Sequence, residues 1–173
     1  MPEVSALLVM GPVSSGKTSL GRAFQAMASE PWLLWEADRC QPRFPSERFP
    51  DHDAVATGRS LGRANLQVVG SYVGAGFKVF AELDVAGVDE RGAAHTTLGT
   101  GALKVVVLCD RSLIERRTVA RPEHRDIAWA LRHYDNVQWN DIDADIRLRS
   151  DERTSQDLAR DLIAYVHDRE GQA

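Results

Sequence analysis

The stretch that decides the fold reads Gly11-Pro12-Val13-Ser14-Ser15-Gly16-Lys17-Thr18. Its pattern, G-x-x-x-x-G-K-[ST], is that of a phosphate loop. The apolar run Leu7-Leu8-Val9-Met10 precedes it, and Leu20, Phe24 and Met27 follow it at helical spacing. The sequence therefore predicts a loop that joins a buried strand to a helix and binds a nucleoside triphosphate.

Each fixed position of this loop has a physical role. Gly11 and Gly16 allow a tight backbone turn, so that successive N–H groups point at a phosphate chain. Lys17 would set its ammonium group on the β- and γ-phosphates, and the Thr18 hydroxyl would sit on Mg²⁺. The helix that follows Gly16 directs the positive end of its dipole at the same anion.

The composition argues against several classes of function. The 173 residues are 43% hydrophobic and 27% charged, which predicts one domain, residues 1–173, with a sizeable core. The net charge of −4 argues against a general nucleic-acid binder. No apolar run approaches the roughly 20 residues that cross a bilayer, and we see no signal peptide. The two cysteines have no metal-ligand spacing, so a reduced, cytoplasmic protein fits best.

Segments with strand-like and helix-like spacing alternate along the chain. Apolar runs predict strands at 4–10, 32–35, 77–83, 103–109 and 144–148. This alternation predicts a parallel sheet with helices on both faces. Ligands of such sheets bind beyond the carboxyl ends of the strands. The phosphate loop should therefore share one rim with Asp38, Glu82, Asp84 and Asp110.

Asp38 is the candidate general base, because it directly follows the second predicted strand. Phosphoryl transfer to a hydroxyl often needs a carboxylate that takes the proton of the acceptor. We expect this strand to lie next to the strand of the phosphate loop, which would put Asp38 beside an acceptor in front of the γ-phosphate. The alternative role is a helix or turn cap.

Glu82 and Asp84 compete for the carboxylate that would hold Mg²⁺ together with Thr18. An Asp usually fills this role, which favours Asp84, whereas Glu82 is the residue that closes the apolar run. The pattern leaves both residues open, and a solvent-facing pair is the alternative.

Two segments are predicted to cover the site. Residues 39–58 mix arginine, proline and phenylalanine without regular spacing, which predicts a long loop over the acceptor, with a disordered linker as the alternative. Arg39, Arg43 and the nearby Trp35 are the candidate acceptor-binding residues.

The second covering segment, near 116–126, is rich in arginine. Arg117 and Arg121 are four apart on one helical face, and Pro122 follows, where the chain can hinge. A mobile segment that brings guanidinium groups over a triphosphate would exclude water and stabilise the transferring charge. The alternative is a solvated helical face, which the pattern favours for Arg116.

Together these motifs resemble the chloramphenicol phosphotransferase-like small-molecule kinases, within the wider nucleotide and shikimate kinase group of phosphate-loop proteins. The resemblance rests on Gly11 to Thr18, on Glu30-Pro31-Trp32-Leu33 running to Asp38, and on Cys109-Asp110 followed by Glu115, Arg117 and Ala120-Arg121. It continues through Arg125 and Tyr134 to the C-terminal helix.

The resemblance implies an α/β fold of three layers, the P-loop nucleoside-triphosphate hydrolase fold, with a five-stranded parallel sheet. It also implies ATP and Mg²⁺, and transfer of the γ-phosphate to a hydroxyl of a small molecule, an antibiotic or a metabolite. Asp38 would be the base, and Lys17 and Arg121 would assist catalysis. Arg117, Arg121 and Arg125 would bind ATP from the arginine lid.

Two departures from the family pattern matter. The family tends to end its third strand in paired aspartates, where this chain has Glu82-Leu83-Asp84. The arginines of 39–58 favour a polar or anionic acceptor over chloramphenicol. The enzyme alternatives are a nucleotide-sugar, sugar or nucleoside kinase. A nucleotide-dependent switch or ATPase is the alternative from another class, although the chain has no Asn-Lys-x-Asp segment that reads guanine.

Overall fold

The computed structural model describes residues 3–40, 53–83, 93–121 and 126–171, without the side chains at 37, 38, 54, 55 and 93–95. The strands are β1 (Ala6–Met10), β2 (Trp32–Glu36), β3 (Lys78–Glu82), β4 (Ala102–Leu108) and β5 (Ile146–Arg149). The helices are α1 (Lys17–Met27), α2 (Ala37–Cys40), α3 (Ala54–Gly74), α4 (Ala93–Leu98), α5 (Arg111–Val119), α6 (Ile127–Asn136) and α7 (Ser155–Gly171).

All five strands run parallel, in the order β2-β3-β1-β4-β5. β1 lies in the middle of the sheet and is buried along its whole length. A parallel strand covered on both faces has no solvent side, so its sequence is a continuous apolar run. The predicted parallel sheet of five strands is confirmed.

Helices cover both faces of this sheet. Because side chains alternate along a strand, Leu7 and Val9 face the layer of α1 and α7, whereas Leu8 and Met10 face the layer of α3 and α6. The fully buried Phe24 of α1 packs on the ring of Phe80, 5.5 Å away between centroids. Burial of a side chain of this size contributes about 1.5–3 kcal/mol, which ties α1, and with it the loop before α1, to the sheet.

Helices occupy both ends of the segment predicted as irregular, 39–58. α2 extends to Cys40 and α3 begins at Ala54, so the prediction is wrong at both ends. Asp53 starts α3 as a cap, because its carboxylate accepts a hydrogen bond from the Ala56 N–H at 2.9 Å. The rest of the predicted loop, 41–52, lies outside the described residues. No helix in the described part of the chain is long and apolar enough to cross a membrane.

Lys78 binds three carboxylates at the amino end of the sheet. Its Nζ donates to Glu30 at 2.6 Å and to Glu170 at 3.0 Å, and it pairs with Glu3 at 3.0 Å. Burial lowers the pKa of Lys78, but the hydrogen bonds to the three glutamates outweigh it, so the pKa lies well above its ordinary value. The favourable contribution of Lys78 is therefore fully present at neutral pH and is lost only in strong alkali.

We expect Lys78→Met to lower the free energy of unfolding by about 2 kcal/mol at pH 7, because three carboxylates lose their shared partner. Urea denaturation at the same pH measures this loss. Lys104→Met is the matched control: Lys104 is similarly covered but pairs with the exposed Asp143, so it should cost under about 1 kcal/mol. Equal losses in the two variants would contradict the prediction.

Candidate active site

The phosphate loop joins β1 to α1 and requires both of its glycines. Gly11 has a φ of +151°, and a Cβ there would lie 2.4 Å from the carbonyl oxygen of Val107 in β4. Gly16 has a φ of +102° and caps the amino end of α1. L-residues with side chains rarely adopt such backbone angles, so both positions need glycine. The loop therefore forms the predicted turn at the carboxyl end of the central strand.

Lys17 folds back across this loop. Its Nζ donates hydrogen bonds to the carbonyl oxygens of Gly11 at 2.8 Å and of Pro12 at 3.0 Å. These contacts hold the ammonium group at the loop. A phosphate oxygen is a stronger, charged acceptor for the same group. The arrangement suits the predicted role of Lys17 toward a triphosphate.

Thr18 and Glu82 meet beside the loop. The Thr18 hydroxyl donates to Glu82 Oε2 at 3.0 Å, and Glu82 is buried at the end of β3, paired in register with Val9 of β1. A hydroxyl and a carboxylate are oxygen ligands of the kind Mg²⁺ prefers, so these two residues fit the ion. No three His, Cys, Asp or Glu among the described residues could hold a metal. Mg²⁺ usually keeps several waters and binds substrate phosphates, so water and phosphate oxygens would be its other ligands here.

Glu36, which the sequence reasoning did not select, lies next to Glu82. The two residues are register partners at the ends of β2 and β3. Glu36 binds Arg22 at 3.2 Å and Arg39 at 2.6 Å. Arg39, a predicted acceptor-binding residue, is thus tethered at the rim of the sheet. The available signal was a glutamate that closes an apolar run, the same signal that singled out Glu82.

Trp35 points to the opposite face of β2. Its ring packs on Tyr72 of α3, with centroids 5.9 Å apart. Within the part of the chain that the structure describes, its Nε1 is buried and has no hydrogen-bond partner. An unpartnered buried donor is costly, so a bound molecule that accepts a hydrogen bond there would be favoured.

Four predicted site residues are wholly or partly outside the described residues. Arg43, Asp84 and Arg125 lie in segments that are not described, and for Asp38 only the backbone is described. The backbone of Asp38 lies in α2, directly after β2. The expectation that β2 neighbours the strand of the phosphate loop is wrong, because β3 lies between them. Two strand spacings, about 10 Å, separate β2 from β1.

Arg117 lies against the back of the phosphate loop. Its Nη1 donates to the carbonyl of Ser15 at 3.2 Å and to the hydroxyl of Ser150 at 3.0 Å, and its Nη2 donates to the carbonyl of Ser150 at 2.8 Å. It belongs to α5, not to a segment that hinges over the loop, which corrects the predicted lid at this residue. Arg121 follows the end of α5, where its N–H donates to the Thr118 carbonyl at 3.3 Å. The two arginines therefore do not share one continuous helical face.

A polar cavity of about 280 Å³ opens on the other side of the loop, at the ends of β4 and β5. Pro12, Asp110, Tyr134, Gln138, Asn140 and Arg149 are among its lining residues. Arg149 donates to Asp110 at 2.7 Å, which neutralises charge at its wall. Neither Trp35 nor Arg39 lines this cavity. The rim therefore offers space on the β4–β5 side of β1.

Comparisons with known proteins agree with this geometry. The model of the protein family described as chloramphenicol phosphotransferase-like protein matches residues 5–167. A search of curated proteins finds no match.

Several solved structures resemble this chain over nearly its whole length. A shikimate kinase from Acinetobacter baumannii, in complex with shikimate, is 16% identical, covers 96% of this chain and 94% of its own, and has a TM-score of 0.61. A shikimate kinase from Bacteroides thetaiotaomicron is 15% identical, with the match spanning 94% of this chain and 98% of the kinase, and has a TM-score of 0.66. A gluconokinase from Sinorhizobium meliloti is 14% identical, with the match spanning 96% of this chain and 94% of the gluconokinase, and has a TM-score of 0.61. At these identities the likeness shows the fold alone.

Proposed function

We propose an ATP-dependent phosphotransferase function for this chain, which belongs to the chloramphenicol phosphotransferase-like family. The family and the kinase folds of similar structures support a small-molecule kinase. The reaction that we propose moves the γ-phosphate of ATP to a hydroxyl of a small molecule. The cytoplasm, where ATP is abundant, is the location that we propose with it.

The observation that carries this proposal is the meeting of Lys17, Thr18 and Glu82 at the phosphate loop. Loop N–H groups and Lys17 would bind the β- and γ-phosphates. Thr18 and Glu82 would hold Mg²⁺, which when bound neutralises charge between the two phosphates. A loop, an ammonium group and a hydroxyl–carboxylate pair in one place suit transfer of a phosphoryl group better than binding alone.

On the acceptor side we propose Asp38 as the general base. It would take the proton of the acceptor hydroxyl as the oxygen attacks the γ-phosphorus. Trp35, Arg39 and Arg43 would bind the acceptor, and the arginines favour a polar or anionic molecule. Arg121 and Arg125 would approach the nucleotide, with Arg121 stabilising the transferring charge. An antibiotic and a metabolite are both acceptors of the required kind.

We expect Glu82→Gln to weaken Mg²⁺ use by about tenfold to a hundredfold, because the amide keeps the shape and the bond to Thr18 but loses the charge. ATP is titrated calorimetrically at increasing Mg²⁺ concentrations. The measured quantity is the Mg²⁺ concentration at which half of the Mg²⁺-dependent increase in ATP affinity is reached. Asp84→Asn is the matched comparison, since the sequence left both carboxylates open, and it should change this concentration less. A larger effect of Asp84→Asn would transfer the metal role to Asp84.

A screen of ATP consumption tests the proposed function. The purified chain with Mg²⁺ is given phenicols, nucleosides, amino sugars, sugar acids and nucleotide sugars. Consumption that depends on an acceptor supports the kinase and names its acceptor class. A nucleotide sugar, sugar or nucleoside as the only active acceptor selects the corresponding alternative kinase. Hydrolysis of ATP without an acceptor, or binding without turnover, would favour the switch or ATPase instead.

A further inference from the structure

Ser14, in the middle of the phosphate loop, has a strained backbone. Its φ is +65°, and it is the one residue other than glycine with a positive φ in the described part of the chain. Side chains on Cβ make this left-handed region unfavourable. The Ser14 side chain is also buried, with 4% of the residue exposed. Contacts from outside the loop must therefore hold Ser14 in this conformation.

Thr118 of α5 supplies the first contact. The hydroxyls of Ser14 and Thr118 are 2.9 Å apart in a buried hydrogen bond. Thr118 has one hydroxyl proton, and it donates this proton to the carbonyl of Ile114 at 2.7 Å. Ser14 must therefore be the donor to Thr118. While this bond lasts, the Ser14 hydroxyl has no proton to give to a phosphate, so its side chain anchors the loop to α5.

Ser150, the residue after β5, supplies the second contact. Its hydroxyl donates to the carbonyl of Ser15 at 2.5 Å, and its backbone N–H donates to the carbonyl of Leu108 in β4 at 2.9 Å. The described peptide bonds are trans, so the Ser15 carbonyl and the Gly16 N–H point in opposite directions. Holding this carbonyl behind the loop aims the Gly16 N–H at the other side, where an anion would bind.

We propose that Thr118 and Ser150 are positioning residues that hold the phosphate loop in its anion-binding conformation before ATP arrives. The proposal rests on the proposed function, because it concerns the same nucleotide site. Both residues lie outside the phosphate-loop motif and act on ATP through Ser14 and Ser15. A loop that adopts this conformation only part of the time binds ATP with an affinity reduced by that fraction. The loss of either contact should therefore appear first in ATP affinity.

Two variants of the full chain test this role. Thr118→Val and Ser150→Ala should each weaken MgATP binding by about fivefold to tenfold in calorimetric titration, the effect of one lost hydrogen bond to the phosphate loop. Thr118→Ser keeps the hydroxyl and should stay within about twofold of the wild type. Without nucleotide, hydrogen exchange of the loop amides should be faster in the two weakened variants. Binding within twofold of the wild type, together with unchanged exchange, would overturn the proposal.

A double-mutant cycle separates the contribution of the Ser14–Thr118 hydrogen bond from other effects of the two substitutions. Ser14→Ala keeps the backbone N–H and the Thr118–Ile114 bond, and should weaken ATP binding as Thr118→Val does. The double variant should bind ATP no more weakly than the weaker-binding single variant, because each single variant already removes the Ser14–Thr118 bond. Multiplied losses, or a loss confined to Ser14→Ala, would overturn the proposal, since Ser14 would then act on phosphate directly.

Ile114→Val is the control for a loss of general stability. Ile114 is fully buried on the same helix, so this variant should lower the thermal midpoint yet leave ATP affinity unchanged. An equal loss of affinity in Ile114→Val would reduce the role of Thr118 to stability and overturn the proposal. If the wild type binds no ATP, the proposed function fails, and exchange of the loop amides still decides whether Thr118 and Ser150 hold the loop.

Discussion

Lys17→Met is expected to lower kcat/KM by about a thousandfold, the upper range for removal of one charge-stabilising donor. The ammonium group stands at the loop, bound to the carbonyls of Gly11 and Pro12, where the transferring phosphate would develop its charge. Methionine keeps most of the length of the side chain and removes the charge. A coupled assay of ADP release with the acceptor found in the screen measures the change.

Lys104→Met is the control for this variant, because it removes a lysine of β4 that pairs with Asp143 away from the loop. It should retain nearly all activity. Circular dichroism and the thermal midpoint verify that both variants fold. If Lys17→Met kept more than about a tenth of the wild-type kcat/KM, the phosphates would not depend on this ammonium group.

Asp38→Asn is expected to lower kcat at saturating acceptor by about a hundredfold to ten-thousandfold, the range for loss of a general base. The amide cannot take the proton of the acceptor hydroxyl. ATP affinity should stay nearly intact, because in the proposed site the phosphate loop, and not Asp38, would bind the nucleotide. Steady-state kinetics gives kcat, and calorimetric titration gives the ATP affinity.

Glu36→Gln is the matched control, since Glu36 lies two residues earlier at the same end of β2 and binds Arg22 and Arg39. Its effect should appear mainly in the KM of the acceptor, through Arg39. Near-wild-type transfer by Asp38→Asn at saturating acceptor would show that another group is the base. If kcat fell equally in Glu36→Gln, Glu36 would become the candidate general base in place of Asp38.

Much of the fold could be predicted from the sequence, because its strongest signals are local. The pattern of the phosphate loop spans only eight residues, and the doubly covered β1 is a continuous apolar run. The family inferred from these motifs is confirmed by the match over residues 5–167. The order of the strands is not local. Nothing in the sequence of β2 states that it pairs with β3, so its expected place beside β1 is wrong.

The contacts around the loop show the same limit. Thr118 is 104 residues from Ser14, and Ser150 is 135 residues from Ser15, so no motif spacing could reveal either bond. The sequence predicts Arg117 as an ATP-binding arginine, but its position behind the loop depends on how α5 packs. The cap at Asp53, by contrast, could have been recognised from the sequence as a helix start, and the loop predicted at 39–58 would then have ended earlier.

The most direct test of the proposed kinase follows the γ-phosphoryl group itself. The chain is incubated with Mg²⁺, an acceptor from the screen and ATP whose γ-phosphoryl group is isotopically labelled, and the products are read by mass spectrometry. A phosphotransferase should yield ADP and an acceptor that carries one labelled phosphoryl group. Label found only in inorganic phosphate, with the acceptor unchanged, would contradict it and make the chain an ATPase.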